Sequence, residues 1–246
     1  MKTNNDAGHQ QNVINFEVLI SFVLTLGESY NPPKPTLTIP ILSETLQKGK
    51  LAVLALNTAE VASKNAIAAR TNLFNGFDGL ITRVISSLRI VGVSALALAQ
   101  AEAIVRDLRG KRATGILTEE QHTAAKEQGT DVKQVAVHNA SMDKKIENFN
   151  KFILFLESIQ EYSPNEPELT VPALKAKLLD FQTKTAELIS ADAAITFARL
   201  SRNEVLYATS TGLVDTALEV KVYVKSLYGA TSPQYTKVNS IAFVNR

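Results

Sequence analysis

The stretch YNPPKPTLTIPIL, residues 30–42, returns 132 residues later as YSPNEPELTVPAL, residues 162–174. The positions kept are Tyr30/Tyr162, Pro32/Pro164, Pro35/Pro167, Leu37/Leu169, Thr38/Thr170, Pro40/Pro172 and Leu42/Leu174. Proline fixes φ, removes an N–H donor and pushes the preceding residue away from helical backbone. Each copy therefore has to stop one helix, cross a stiff extended spacer and start the next. Thr38 and Thr170 stand where an N-cap is needed, and Pro40 and Pro172 fall within the first helical turn, where a missing N–H costs nothing.

The likeness extends on both sides. Upstream, NFEVLISFVLTL from Asn15 matches NFNKFILFLESI from Asn148, with Phe16 over Phe149, Ile20 over Ile153 and Phe22 over Phe155. Downstream, Arg70 aligns with Arg202, and Gly79-Leu80 with Gly212-Leu213. A unit this long, seen twice, is not the 20–50-residue period of a solenoid. The pattern predicts an all-α, elongated helical bundle made by tandem duplication of a three-helix unit. Repeat 1 is read over 14–110, a charged, mobile connection over 111–138, repeat 2 over 139–238 and a short extended C-terminal tail over 239–246, with the repeats packed as one bundle.

In each unit the first helix is read at 14–28 and about 139–161. The second carries a seam in steps of four and three: Leu174, Leu178, Phe181, Thr185, Leu188, Asp192 and Ile195, matched by Leu42, Leu46, Gly49, Val53, Leu56, Glu60 and Ser63. The third begins near Gly79 or Gly212, and the same stepping runs from Leu80 to Leu108, which predicts one helix of about 30 residues, or ~45 Å. Near the C-terminus GATSPQY breaks the last helix, Ser232-Pro233 opens one more turn, and Ile241 and Phe243 are expected to tuck against the bundle.

Composition removes several chemistries. Without cysteine there is no disulfide, thiolate catalysis, zinc-thiolate site or iron–sulfur cluster. A net charge of +2 provides no general field to steer the chain toward nucleic acid or an anionic membrane. His9, His122 and His138 stand in no metal-binding spacing and are read as exposed. There is no phosphate-cradling GxxxxGK[ST] loop and no GxSxG elbow, so no catalytic residue, cofactor or small-molecule ligand is predicted. The polar N-terminus lacks a secretion signal, which makes the cytoplasm the expectation. IVGVSALALAQAEAIV, residues 90–105, is short for a bilayer span and contains Gln100 and Glu102, so it is read as a buried core helix, with membrane insertion as the alternative.

Two polar features remain. Glu60 and Asp192 occupy equivalent seam positions, with Arg70 and Arg202 ten residues further on. A symmetric carboxylate pair inside a bundle could hold a cation or run acid–base chemistry, but di-metal bundles use more ligands, so structural ion pairs, or a seam that faces water at that level, are the reading adopted and no metal is predicted. Arg106, Arg109, Lys111 and Arg112 gather at the end of the third helix of repeat 1. They complement a helix C-terminus with Gly110 as its cap, and the functional alternative is contact with phosphate. Without interleaved aromatics, nucleic acid is not the expected partner.

Taken together, SRNEVLY (201–207), TGLVDTALEVKVYVKSLYGATSPQYTKV (211–238) and RGKRAT (109–114) resemble a set of uncharacterised helical proteins of similar length from Bacteroidota, over nearly the whole chain. The resemblance implies a duplicated all-helical fold in a bacterial protein and carries no activity. The functional expectation is a non-catalytic structural or interaction protein that associates with itself or a protein partner. A membrane-active, pore-forming-like helical protein is the alternative, and a metal-binding or enzymatic bundle stands third.

Overall fold

The computed structural model describes residues 6–111 and 141–245. The connection read at 111–138 lies, apart from Lys111, outside them, as do Arg112, His122 and His138. The helices are α1 (Asp6–Leu24), α2 (Ile39–Leu73), α3 (Phe77–Ile90), α4 (Ala95–Leu108), α5 (Met142–Glu157), α6 (Val171–Tyr207), α7 (Leu213–Tyr228) and α8 (Pro233–Asn239). No strand occurs among the described residues, and the chain is an all-α helical bundle. At ~1.5 Å per residue the 35 residues of α2 and 37 of α6 give rods of roughly 50–55 Å.

Both proline corners fold alike. Pro35 and Pro167 open a single 3-10 turn, Thr38 and Thr170 follow in extended backbone, and Pro40 and Pro172 take the second helical position. Pro32 is buried and Pro164 half-buried ahead of the turn. The threonines do stand at the N-cap, but both hydroxyls donate back to the proline carbonyl at 2.8 Å. Thr170 Oγ1 also accepts the Ala173 N–H at 3.4 Å. Each corner is closed by a tyrosine reaching over it: Tyr30 Oη donates to the Leu37 carbonyl at 2.8 Å, and Tyr162 Oη to the Leu169 carbonyl at 2.7 Å.

The compact units cut across the linear repeats. One comprises Met1–Asn65 with Ile189–Arg246, the other Ala66–Leu188. The first takes α1, its corner and the start of α2 together with the end of α6, α7 and α8. The second takes α5, its corner and the start of α6 together with the end of α2, α3 and α4. Each long helix thus gives its two ends to different cores, so each unit combines a helix–corner–helix with a helix–turn–helix from a distant part of the chain.

Equivalent seam positions fill these cores differently. In the second unit Phe181 is fully buried and its ring meets those of Phe74, Phe77 and Phe149 at 4.5, 5.2 and 6.1 Å between centroids. In the first, Gly49 occupies the matching place, and a Cβ there would lie 2.8 Å from Leu213 Cδ1 and 3.4 Å from Val13 Cγ2. Leu213 is itself fully buried, so the larger side chain comes from the facing helix.

Four sequence expectations are corrected. The third helix of repeat 1 is not continuous: α3 ends at Ile90, Gly92 turns the chain at φ 78°, and Ser94 Oγ accepts the Ala97 N–H at 3.1 Å to start α4. The apolar stepping runs through the break because α3 and α4 line the same core, with Ile81, Val84, Ile85 and Leu88 on one and Ala101, Val105 and Leu108 on the other. Residues 90–105 are accordingly not one buried helix, and Ile90 is 85% exposed at the turn. The first helix starts at Asp6 rather than 14, and His9, read as exposed, is buried, with Nδ1 2.6 Å from Tyr207 Oη. The added turns carry a tertiary contact: the Asn12 amide donates to Val244 O at 2.8 Å and accepts the Val244 N–H at 3.0 Å, fastening the tail.

The C-terminus follows expectation. Ser232 Oγ caps α8 by accepting the Tyr235 N–H, Ile241 is buried and Phe243 packs on the core. Lys221 is buried too, and its ammonium donates to the carbonyls of Asn239 and Ile241 and sits 5.1 Å from the Phe243 ring centroid.

Candidate functional site

Glu60 and Asp192 do not converge on a common centre. Ser63 Oγ, buried, donates to Asp192 Oδ1 at 2.9 Å, and Arg199 Nη2 approaches Glu60 Oε1 at 3.4 Å. Both contacts tie α2 to α6 within the first unit, and they run in opposite sequence directions, so the paired segments are antiparallel. Asp192 is exposed and Glu60 half-buried at the rim. No group of three or more His, Asp or Glu side chains able to hold a metal occurs among the described residues.

Arg70 and Arg202 are both buried, as their equivalence suggests, but they pair differently. Arg70 binds the Asp143 carboxylate at the start of α5 and leaves its Nε without an acceptor. Arg202 donates through Nε and Nη2 to Asn203 Oδ1 at 3.2 and 2.9 Å. The two arginines are thus held by different neighbours, Asp143 and Asn203.

Arg106, Arg109 and Lys111 do come together. Gly110, at φ 66°, closes α4 in a Schellman turn: its N–H donates to Asp107 O and that of Lys111 to Arg106 O, both at 3.0 Å. The turn folds Lys111 back beside Arg106. Arg109 reaches across to α3, donating to Thr82 Oγ1 at 2.6 Å and Asp78 O at 3.3 Å.

The feature that sequence reading missed lies on the outer sides of the long helices. On α2 the stripe turned into the unit runs through Ala52, Leu56 and Ser63, all buried, yet Leu51, Leu54 and Val61 are exposed. With 3.6 residues per turn these three stand about 140–220° around the helix from Leu56, on its back. On α6 the inward stripe is Ala198, Arg202 and Leu206, and Ile189, Phe197 and Leu200 are exposed. They occupy the same range of about 140–220° measured from Arg202. Phe197 is 74% exposed, Leu200 64% and Leu51 62%. A surface helix usually turns such residues to one side only.

No family model, curated protein or solved structure matches the chain. Among the described residues no helix is long and apolar enough to cross a membrane.

Proposed function

We propose that this protein is a non-catalytic helical interaction protein that assembles with copies of itself through the backs of α2 and α6. The observation that carries this reading is the second apolar stripe on each helix, Leu51–Leu54–Val61 and Ile189–Phe197–Leu200, opposite the stripe already buried. A helix apolar on two opposite sides is stable in water when both are covered. The two stripes have nearly equal length, 11 and 12 residues or roughly 16–18 Å. The back of α2 in one copy therefore matches the back of α6 in another, and four helices would close a bundle layer. The matched corners, with the same tyrosine closure at each, support reading the chain as a duplicated helix–corner–helix unit.

Light scattering coupled to size-exclusion chromatography tests the assembly. The wild type is expected to gain mass with concentration, whereas Phe197→Glu and Leu54→Glu, both on exposed positions, stay monomeric with unchanged helicity. A wild type that remains monomeric at high concentration would overturn the proposal. Flotation with liposomes serves the membrane-active alternative: wild-type protein that floats while the two glutamate variants sink would replace self-assembly by lipid as the occupant.

A further inference from the structure

We infer that the cleft between α3 and α4 is a binding site for a small phosphate monoester. It is a cleft open to solvent with a volume of about 320 Å³, at the lower end of small-ligand pockets, and lies within one compact unit. Among the described residues four cations line it, Arg89, Arg106, Arg109 and Lys111, against one carboxylate, Glu102. That carboxylate is spent on Arg89, whose Nη2 donates to it at 2.6 Å. The Arg106 side chain has no hydrogen bond or ion pair among the described residues, and its Nε, like that of Arg109, is buried without an acceptor. Among the described residues no carboxylate pairs with Arg106, Arg109 or Lys111, and like charges gathered in one cleft repel one another unless an anion joins them.

The nature of the donors selects the ligand. Thr82 Oγ1 gives its hydrogen to Asp78 O, and Ser86 Oγ gives its own to Thr82 O, at 2.9 and 3.0 Å. Neither hydroxyl has a proton left to offer. The available donors are guanidinium and ammonium N–H groups, which suit a ligand end that only accepts, carries more than one negative charge and presents several oxygens. A phosphate dianion meets all three requirements. Ile85 and Val105, both buried, form an apolar wall against which the organic part of a monoester would lie. The Schellman turn at Gly110 fixes the backbone of Lys111 against that of Arg106, and the Arg109 guanidinium is already held by Thr82 and Asp78, so part of the ordering precedes binding.

Isothermal titration calorimetry with inorganic phosphate and with glycerol 3-phosphate, against glycerol and acetate, tests the site. One phosphate per chain is expected, tighter for the monoester than for the inorganic ion, with no heat from glycerol. Arg106→Gln, which breaks no side-chain hydrogen bond or ion pair among the described residues, should weaken binding by about tenfold or more with little change in the melting temperature, and Arg106→Lys should recover part of it. Lys111→Gln, beyond the end of α4, gives the same readout with still less risk to folding. Absence of phosphate binding, equal affinity in wild type and Arg106→Gln, or a short single-stranded oligonucleotide that binds where phosphate and glycerol 3-phosphate do not would each overturn the assignment. The result is independent of oligomeric state, so failure here leaves the assembly reading standing.

Discussion

The Tyr30 hydroxyl donates to the Leu37 carbonyl at 2.8 Å, spanning the proline corner it precedes. Tyr162 makes the same bond to Leu169 at the other corner. Both rings are buried, and burial raises both phenols, Tyr162 to about 12 with the Glu166 charge adding, and Tyr30 further, with Tyr223 adding. An acid whose pKa is higher folded than unfolded contributes stability that is full below the unfolded value, about 10, and lost as pH climbs through the folded one. Wild-type melting temperature should therefore fall between about pH 10 and 12, and the double variant Tyr30→Phe, Tyr162→Phe should fall less over that window. At neutral pH each Tyr→Phe change strands a carbonyl and should cost about 1–3 kcal/mol in urea denaturation.

Gly79 and Gly212 align in sequence yet differ in surroundings. A Cβ on Gly79 meets nothing within 4 Å, whereas one on Gly212 would lie 2.6 Å from Ala208 N and 2.7 Å from Ala208 O. Gly79→Ala, on the exposed face of α3, should stabilise by up to about 1 kcal/mol through helix propensity. Gly212→Ala forces backbone apart and should cost about 1–3 kcal/mol, as thermal denaturation would record.

Phe181 and Gly49 make a reciprocal test of core volume. Phe181→Ala removes the centre of a four-ring cluster and should cost about 3–5 kcal/mol. Gly49→Leu drives into Leu213, which has no free space, and should destabilise by at least about 1–3 kcal/mol. Pairing Gly49→Leu with Leu213→Ala should recover part of the loss. Additive denaturation energies for that pair would show that the two residues do not share one volume.

Lys221 holds the tail by its ammonium, and burial lowers its pKa. Lys221→Met keeps the stem and removes the donors, so the carbonyls of Asn239 and Ile241 lose their partner. Faster amide exchange confined to residues after Asn239 and earlier proteolysis of the tail are expected. Exchange unchanged at Ile241 and Phe243 would mean that the apolar contacts suffice.

Ser63 donates to Asp192 from a buried position while Asp192 itself is exposed. Asp192→Asn keeps an acceptor and should be nearly neutral. Asp192→Ala should cost about 1 kcal/mol by leaving the hydroxyl unpaired.

Much of the candidate surface was hidden from sequence reading for a definable reason. Glu60 and Asp192 are marked as equivalent by spacing, but whether they face each other depends on the stagger of α2 against α6, and the antiparallel stagger gives each a different neighbour. The backs of α2 and α6 could have been found by counting apolar residues outside the seam, since Leu51, Leu54, Val61, Phe197 and Leu200 all fall off it. The Arg106–Lys111 cluster was legible as charge, but its cavity was not, because the break at Gly92 that folds α4 onto α3 is masked by an apolar period that continues through it.

The sequence by itself determined where helices stop and start at the proline corners, that the chain is all-α, and that Ile241 and Phe243 return to the core. Those outcomes follow from local chemistry: a missing N–H, a fixed φ, a cap, an apolar step. Tertiary structure alone decided which halves of α2 and α6 share a core, why Gly49 rather than a large side chain faces Leu213, and which apolar stripes are left uncovered. Such outcomes depend on volumes and contacts between residues far apart in the chain, and a periodic pattern on one helix carries no record of what stands opposite it.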